Sequence, residues 1–295
     1  MTPQEQESRA PVLAAFSPQT AAKEPLEFGL AASERTGAPL IIVAVHPGGP
    51  VLTARGADVE EGDEKRTLEH LRLGLQRRGL RDVEVKVVQA RTVAAGLTRA
   101  VEEHKPELVV LGSAHRGRLG SVLLGSTAEQ IIHESGSPVV VVPGGYERPE
   151  GGVSVVGAAF APTEEGAETL RAAAGLARAL GVRLRAISVL DQADADAQED
   201  TQARARDALG ELAEGIELDT DLRTGDPADG LAAASQEVDL LVMGSSGRGS
   251  RRSALLGGAS REVAGKAACP VLILRRHAKD SVDALIGNVE PPTAG

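Results

Sequence analysis

The chain has 295 residues, of which 42% are hydrophobic and 25% are charged, as in an ordinary globular protein that is long enough for two domains. Its formal net charge of −10 opposes non-specific attraction to nucleic acid or anionic membranes. Three Phe, one Tyr and no Trp disfavour single-stranded nucleic-acid binding on stacked rings. We therefore expect no nucleic acid and no membrane among its partners. The single cysteine fits a reducing cytoplasm, which is the expected location.

Five apolar segments in the first half predict β-strands that alternate with helices. These segments span residues 11–16, 40–45, 83–89, 108–111 and 139–142. Several are continuous apolar runs, which are typical of parallel strands covered on both faces. Leu68, Leu71 and Leu75 mark one face of the second helix, which we expect to end at Gly79.

The second half repeats this alternation with five further predicted strands. They span residues 153–160, 183–189, 217–223, 240–243 and 271–274. Thr163 is an N-cap candidate for the helix after the first of them, and Gly181 is its stop signal. Asp226 is a second N-cap candidate, because a proline follows it at the first helical position.

The two halves are copies of one unit. The stretch that begins at Leu111 recurs in altered form at Met243, 132 residues further on, with no gap inside either copy. Five strands and four helices, twice over, predict an α/β fold of two tandem doubly wound five-stranded parallel sheets. The predicted domains span residues 10–145 and 152–277, and residues 278–295 are expected to form a flexible C-terminal tail.

Each copy places a glycine-rich loop with arginines between a strand and a helix. Backbone N–H groups and a helix N-terminus attract anions, so such a loop can hold phosphate. The glycines of the second copy are Gly244, Gly247, Gly249, Gly257 and Gly258. The alternative for a loop of this kind is a surface turn with solvated arginines.

The spacing Gly244, two residues, Gly247, nine residues, Gly257 resembles the nucleotide-binding signature of the universal stress protein family. The resemblance covers residues 10–276 as two tandem modules, and each half closes with a Pro-strand segment. It implies an adenine nucleotide alpha-hydrolase-like fold with strand order 3-2-1-4-5, and a non-enzymatic stress-response function. Many members bind ATP or AMP, with Mg²⁺ as a companion of ATP, whereas others bind no nucleotide. The family also pairs its modules through their last strands, which here implies an intramolecular pseudo-dimer and allows a homodimer.

The resemblance assigns a candidate nucleotide site to each module. The second module supplies Gly244, Gly247, Arg248, Gly249, Gly257, Gly258, Ala259, Ser260 and Arg261, with Asp226 near the ribose and Phe160 near the base. The first module supplies Gly112, His115, Gly125, Ser126 and Thr127. His115 replaces the second glycine of the signature, and its side chain is expected to block the backbone, although a protonated His115 could instead contact a phosphate. We therefore expect the second module to hold the nucleotide.

The helix starts predict another difference between the modules. Ser126 and Glu129 have the spacing of a capping box, whereas the aligned residues are Gly258 and Arg261. An arginine in the first turn opposes the helix dipole. We therefore expect Arg261 to serve a bound phosphate.

Phe16 and Phe160 stand where nucleotide-binding members usually carry an aspartate, near the end of the first strand. Each ring could stack on adenine or fill the base pocket as part of the core. The alternative function is accordingly a dimeric interaction scaffold without nucleotide. The six histidines show no metal-ligand spacing, and no Ser-His-Asp set follows from spacing, so we predict neither a metal site nor catalytic residues.

Overall fold

The structure is a computed structural model that describes residues 9–47, 57–77, 83–113, 124–192, 196–245, 257–275 and 286–287. Within these ranges, ten strands alternate with eight α-helices. The strands are β1 (Val12–Phe16), β2 (Leu40–Pro47), β3 (Val83–Ala90), β4 (Leu108–Gly112), β5 (Val139–Val142), β6 (Val155–Ala159), β7 (Arg183–Leu190), β8 (Leu218–Thr224), β9 (Leu240–Gly244) and β10 (Val271–Leu274). The helices are α1 (Glu24–Thr36), α2 (Ala57–Arg77), α3 (Val93–His104), α4 (Ser126–Glu134), α5 (Glu164–Leu180), α6 (Ala197–Leu209), α7 (Pro227–Ala234) and α8 (Gly258–Lys266). A 3₁₀ turn, Gly210–Ala213, follows α6.

All ten strands form one sheet in the order β3-β2-β1-β4-β5-β10-β9-β6-β7-β8. Neighbouring strands are parallel within each half. The predicted α/β fold with strand order 3-2-1-4-5 is therefore confirmed in both halves. The halves are joined by β5 and β10, which pair antiparallel.

The junction between β5 and β10 places equivalent residues of the repeat opposite each other. Val140 pairs with Leu272, and these two residues are 132 positions apart, which is the spacing of the repeat. A residue that faces its own equivalent lies at a twofold axis. A pseudo-twofold axis therefore passes between Val140 and Leu272, and each last strand covers the edge of the other.

Two hydrophobic layers cover the two faces of the sheet. The layer beneath α1, α2, α5 and α6 contains Val140 and Leu272, together with both buried phenylalanines. The opposite layer, beneath α3, α4, α7 and α8, contains the neighbouring residues Val139 and Ile273. Because side chains alternate along a strand, the same short apolar strands supply both layers.

Local signals for one helix are confirmed at both of its ends. The Thr163 hydroxyl accepts a hydrogen bond from the Gly166 N–H at 3.1 Å, and Gly181 ends α5 in a left-handed conformation with φ of 68°.

The stop predicted for the second helix at Gly79 lies outside the described residues. In the predicted flexible tail, Ile286 packs against the layer that contains α5, so the tail contacts the fold at this position.

Candidate functional site

The predicted phosphate loop of the second module connects the end of β9 at Gly244 to the start of α8 at Gly258. The Gly257 N–H donates to the Ser245 carbonyl oxygen at 2.8 Å. The Ser245 N–H in turn donates to the Leu274 carbonyl oxygen at 2.8 Å. These bonds hold both ends of the loop together at the carboxyl edge of the sheet.

The central parts of both signature loops, residues 114–123 and 246–256, lie outside the described residues. They contain Gly247, Arg248 and Gly249 of the second module and His115 of the first. The roles of these four residues in holding or blocking a phosphate stay predictions.

The helices that follow the two loops begin in the same way. Gly125 is the N-cap of α4 and Gly257 is the N-cap of α8, and neither helix start has a side-chain capping hydrogen bond. The capping box predicted for Ser126 and Glu129 is therefore wrong, because Ser126 is the first helical residue and not the N-cap. The first backbone N–H groups of a helix have no acceptor within it, so both starts can face an anion.

Glu129 forms an ion pair across the module junction. Its Oε1 atom lies 2.9 Å from Nε of Arg261, with 29% of the Glu129 side chain and 45% of the Arg261 side chain exposed. The sequence predicts that Arg261 binds a phosphate because only the first module is expected to have a capping box. Neither helix start has a side-chain cap, so this reason for a phosphate at Arg261 does not hold. Arg261 has a carboxylate partner in the other module.

The first two residues of α4 and of α8 match in their exposure. The exposed residues are Ser126 and Gly258, and the half-buried ones are Thr127 and Ala259. Ser260 is different, because it is buried and its hydroxyl donates to the Gly244 carbonyl oxygen at 2.9 Å. This bond fixes the start of α8 against the end of β9, so Ser260 positions the loop from within the fold.

Glu165 is a feature of the site that sequence reasoning missed. A Cβ atom on Gly244 would lie 2.8 Å from Oε1 of Glu165, so the absence of that atom leaves room for the carboxylate. In the first module, the Cγ atom of Pro25 lies 3.2 Å from the corresponding position on Gly112. A carboxylate therefore borders the first signature glycine in the second module, where the first module has an apolar ring.

Both phenylalanines at the ends of the first strands are buried. Phe16 is 7% exposed and Phe160 is 5% exposed. The Ser188 hydroxyl donates to the Phe160 carbonyl oxygen at 2.8 Å, which fixes the backbone beyond β6. Of the two alternatives for these rings, the burial supports the filling of the core.

Asp226 is confirmed as an N-cap. Its Oδ1 atom accepts hydrogen bonds from the N–H groups of Ala228 and Asp229, at 2.9 and 3.1 Å, at the start of α7. A contact between Asp226 and a ribose stays a prediction.

Three further features of the described ranges concern the single cysteine, metal binding and membrane-spanning helices. Burial raises the pKa of Cys269 to about 12, so its thiol stays protonated at neutral pH. No group of three or more His, Cys, Asp or Glu residues is arranged there to hold a metal ion. None of the helices in these ranges combines the length and the hydrophobicity needed to cross a bilayer.

A cavity of about 530 Å³ lies at the opposite edge of the first module. It is lined by the ends of α3 and α4 and by residues before β4 and β5, including Thr98, Glu107 and Ser135. Because parallel strands begin at this edge, the cavity is separate from the glycine loops at their carboxyl ends.

Comparisons with known proteins identify the relatives of this chain. Residues 9–143 and 155–275 each match the family model described as Universal stress protein family. A universal stress protein of Mycobacterium tuberculosis is 30% identical over 203 residues, which cover 62% of this chain and 69% of that protein. One from Mycolicibacterium smegmatis is 31% identical over 183 residues, covering 57% and 62%. The crystal structure of a universal stress protein from Archaeoglobus fulgidus shares the fold, with a TM-score of 0.65, 18% identity, and coverage of 90% and 97%.

Proposed function

The chain belongs to the universal stress protein family, and from this premise we propose that it binds an adenine nucleotide in its C-terminal module. The ligand is ATP or AMP, and the phosphates lie against the loop between Ser245 and Gly257. The protein acts in the cytoplasm as a stress-response protein without catalysing a reaction.

The closed base of this loop is the observation that carries the proposal. The bond between the Gly257 N–H and the Ser245 carbonyl oxygen brings the end of β9 next to the start of α8. The uncapped start of α8 then offers its first backbone N–H groups to an anion at the end of β9. Arg248 of the loop supplies neutralising charge.

Two differences favour the second module over the first. Its signature is complete, since Gly247 stands where the first module has His115. The first turn of α8 contains no acidic residue, whereas that of α4 contains Glu129. The first turn of α8 itself therefore opposes a phosphate less than that of α4 does, whereas the Glu165 carboxylate beside Gly244 acts in the opposite direction.

The carboxylate of Glu165 affects which form of nucleotide binds well. It borders Gly244, the first glycine of the signature. A triphosphate carries several negative charges and would be repelled by this group unless a cation accompanies it. We therefore propose that ATP binds together with Mg²⁺, whose hard oxygen ligands are supplied by phosphates and carboxylates.

An interaction scaffold without nucleotide is the second candidate function. The rings of Phe16 and Phe160 favour it, because each ring is buried in the core at the position that is expected to lie near the base. Under this function the glycine loops would be structural turns, and the paired modules would present their surfaces to another protein.

Substitution at one repeat position distinguishes the two functions. Gly247→Val adds a side chain to the glycine path, and His115→Val is the matched control at the equivalent position of the first module. We expect the wild type and His115→Val to release stoichiometric adenine nucleotide on denaturation, or to bind added AMP or ATP in calorimetry. Gly247→Val should weaken binding by roughly tenfold or more, which corresponds to about 1.4 kcal/mol. Equal binding by all three proteins, or binding by none, would contradict nucleotide recognition at this loop.

A further inference from the structure

Two pairs of equivalent residues face each other across the module junction. Val140 lies opposite Leu272 in the antiparallel pairing of β5 and β10. Glu129 forms its ion pair with Arg261, and these two residues are also 132 positions apart. Both contacts therefore lie at the same pseudo-twofold axis, one in the sheet and the other on the helices that cover one face.

A residue on a twofold axis meets a copy of itself whenever two identical modules pair. Pairing of two first modules would therefore bring Glu129 against Glu129. Pairing of two second modules would bring Arg261 against Arg261. Only pairing of a first module with a second places opposite charges at this point.

A second contact across the junction differs between the modules. Arg275 Nη1 donates to the Ser135 carbonyl oxygen at 2.8 Å. The residue equivalent to Arg275 in the first module is Pro143, which has no side-chain donor. Two first modules that paired with each other would lack this hydrogen bond as well.

We propose that Glu129 and Arg261 are specificity-determining residues that select the pairing of unlike modules. Attraction favours the observed junction, and like-charge repulsion disfavours both alternatives. The difference in free energy between unlike and like pairing is therefore larger than the stabilisation that the ion pair gives to the observed junction alone. The partner that this edge fits is the other kind of module, in the same chain or in a second copy.

Charge reversal in the full-length chain tests this proposal. Glu129→Arg and Arg261→Glu each place like charges across the axis in every possible pairing, so the preference for unlike modules is lost. The double variant Glu129→Arg with Arg261→Glu restores opposite charges. Lys266→Glu is the matched control, because it reverses a charge on α8 whose partners Asp229 and Glu262 belong to the same module.

Each protein is unfolded in urea, refolded at high concentration and analysed by size-exclusion chromatography with light scattering. We expect the ratio of oligomer to monomer to rise by roughly fivefold in each single reversal, as two weak electrostatic effects together allow. The double variant and Lys266→Glu should match the wild type. The proposal is overturned if the single reversals refold with the wild-type ratio, or if the double variant behaves like the single reversals.

Discussion

At the level of single residues, Glu165 gives the nucleotide proposal its sharpest test. Glu165→Gln removes a negative charge beside Gly244 and keeps the shape of the side chain. We expect the affinity for AMP in the absence of Mg²⁺ to rise by roughly three- to tenfold, since charges a few ångströms apart near a surface interact by about 1 kcal/mol or more. Calorimetry of the variant measures this change.

The neighbouring residue provides the control for this charge removal. Glu164 is exposed and lies in the same helical turn, so Glu164→Gln changes the net charge of the protein by the same amount. Its affinity for AMP should stay close to that of the wild type. An equal gain in both variants would mean that overall charge matters and the position of Glu165 does not.

Single residues also show where sequence reasoning succeeds and where it fails. Thr163 and Asp226 are N-caps as predicted, because each cap depends only on a few neighbouring residues. The box predicted at Ser126 fails by one position, since the preceding glycine takes the cap. The partnership of Glu129 with Arg261 depends on how the modules meet, which no local pattern contains.

At the level of helices and strands, the start of α5 depends on a close approach of two backbone segments. A Cβ atom on Gly166 would lie 2.1 Å from the Ala161 carbonyl oxygen. Gly166→Ala should therefore lower the free energy of unfolding by about 1–3 kcal/mol, as is typical of overpacking. Urea titration measures this loss.

Gly74 is the matched control for a helical glycine. An added Cβ atom there would meet no heavy atom within 4 Å. Gly74→Ala should raise the free energy of unfolding by about 0.5–1 kcal/mol, because alanine favours helix. If Gly166→Ala is also stabilising, the predicted clash near Ala161 does not limit the fold.

The start of β6 is held by a carboxylate from before β9. The Oδ2 atom of Asp239 accepts hydrogen bonds from the Ser154 hydroxyl at 2.6 Å and from the N–H groups of Ser154 and Val155 at 2.8 and 2.9 Å. Burial raises the pKa of Asp239, but these hydrogen bonds outweigh it, so the pKa lies below its ordinary value. The ionised carboxylate is therefore the form that stabilises this junction.

Asp239→Asn should lower the free energy of unfolding at pH 7 by about 1–3 kcal/mol, since it replaces a charged acceptor of three hydrogen bonds by a neutral amide. A depressed pKa in the folded state adds stability above the unfolded-state pKa of about 3.9, and this stability is lost as the pH falls through the lower folded value. The gap between wild type and variant should therefore shrink below about pH 4. Urea titrations across this range test the effect, with the exposed Asp207→Asn as control. A gap that is constant with pH would contradict it.

The strands themselves were predictable because each is a short apolar run between turn signals. Their ends were less so, and β6 shows why. The sequence predicts a start at Val153, but the strand begins at Val155, and the Asp239 carboxylate accepts the N–H groups of Ser154 and Val155 at this end. That carboxylate is distant in sequence, so a local pattern does not show its contact with this strand start.

At the level of the whole molecule, the duplication builds one continuous sheet from two halves. The strand order follows from the α/β alternation and the family resemblance, and both are legible in the sequence. The register between β5 and β10 is not, because two runs of valine, leucine and isoleucine offer several equally apolar pairings. A polar contact outside the strands, from Arg275 to Ser135, accompanies the observed register.

The asymmetry between the two copies of the loop is the property of the whole molecule on which the proposed function depends. Both helix starts are alike, so the difference between the modules rests on the loop residues and on the charges near them. If the second module alone binds, the chain holds one nucleotide although it contains two copies of the fold.

Titration calorimetry of AMP and of Mg²⁺–ATP into the full-length protein measures this stoichiometry directly. Binding at a single site per chain is the expected result. Two equivalent sites per chain, or no binding at high micromolar concentrations of either nucleotide, would contradict recognition by the second module alone.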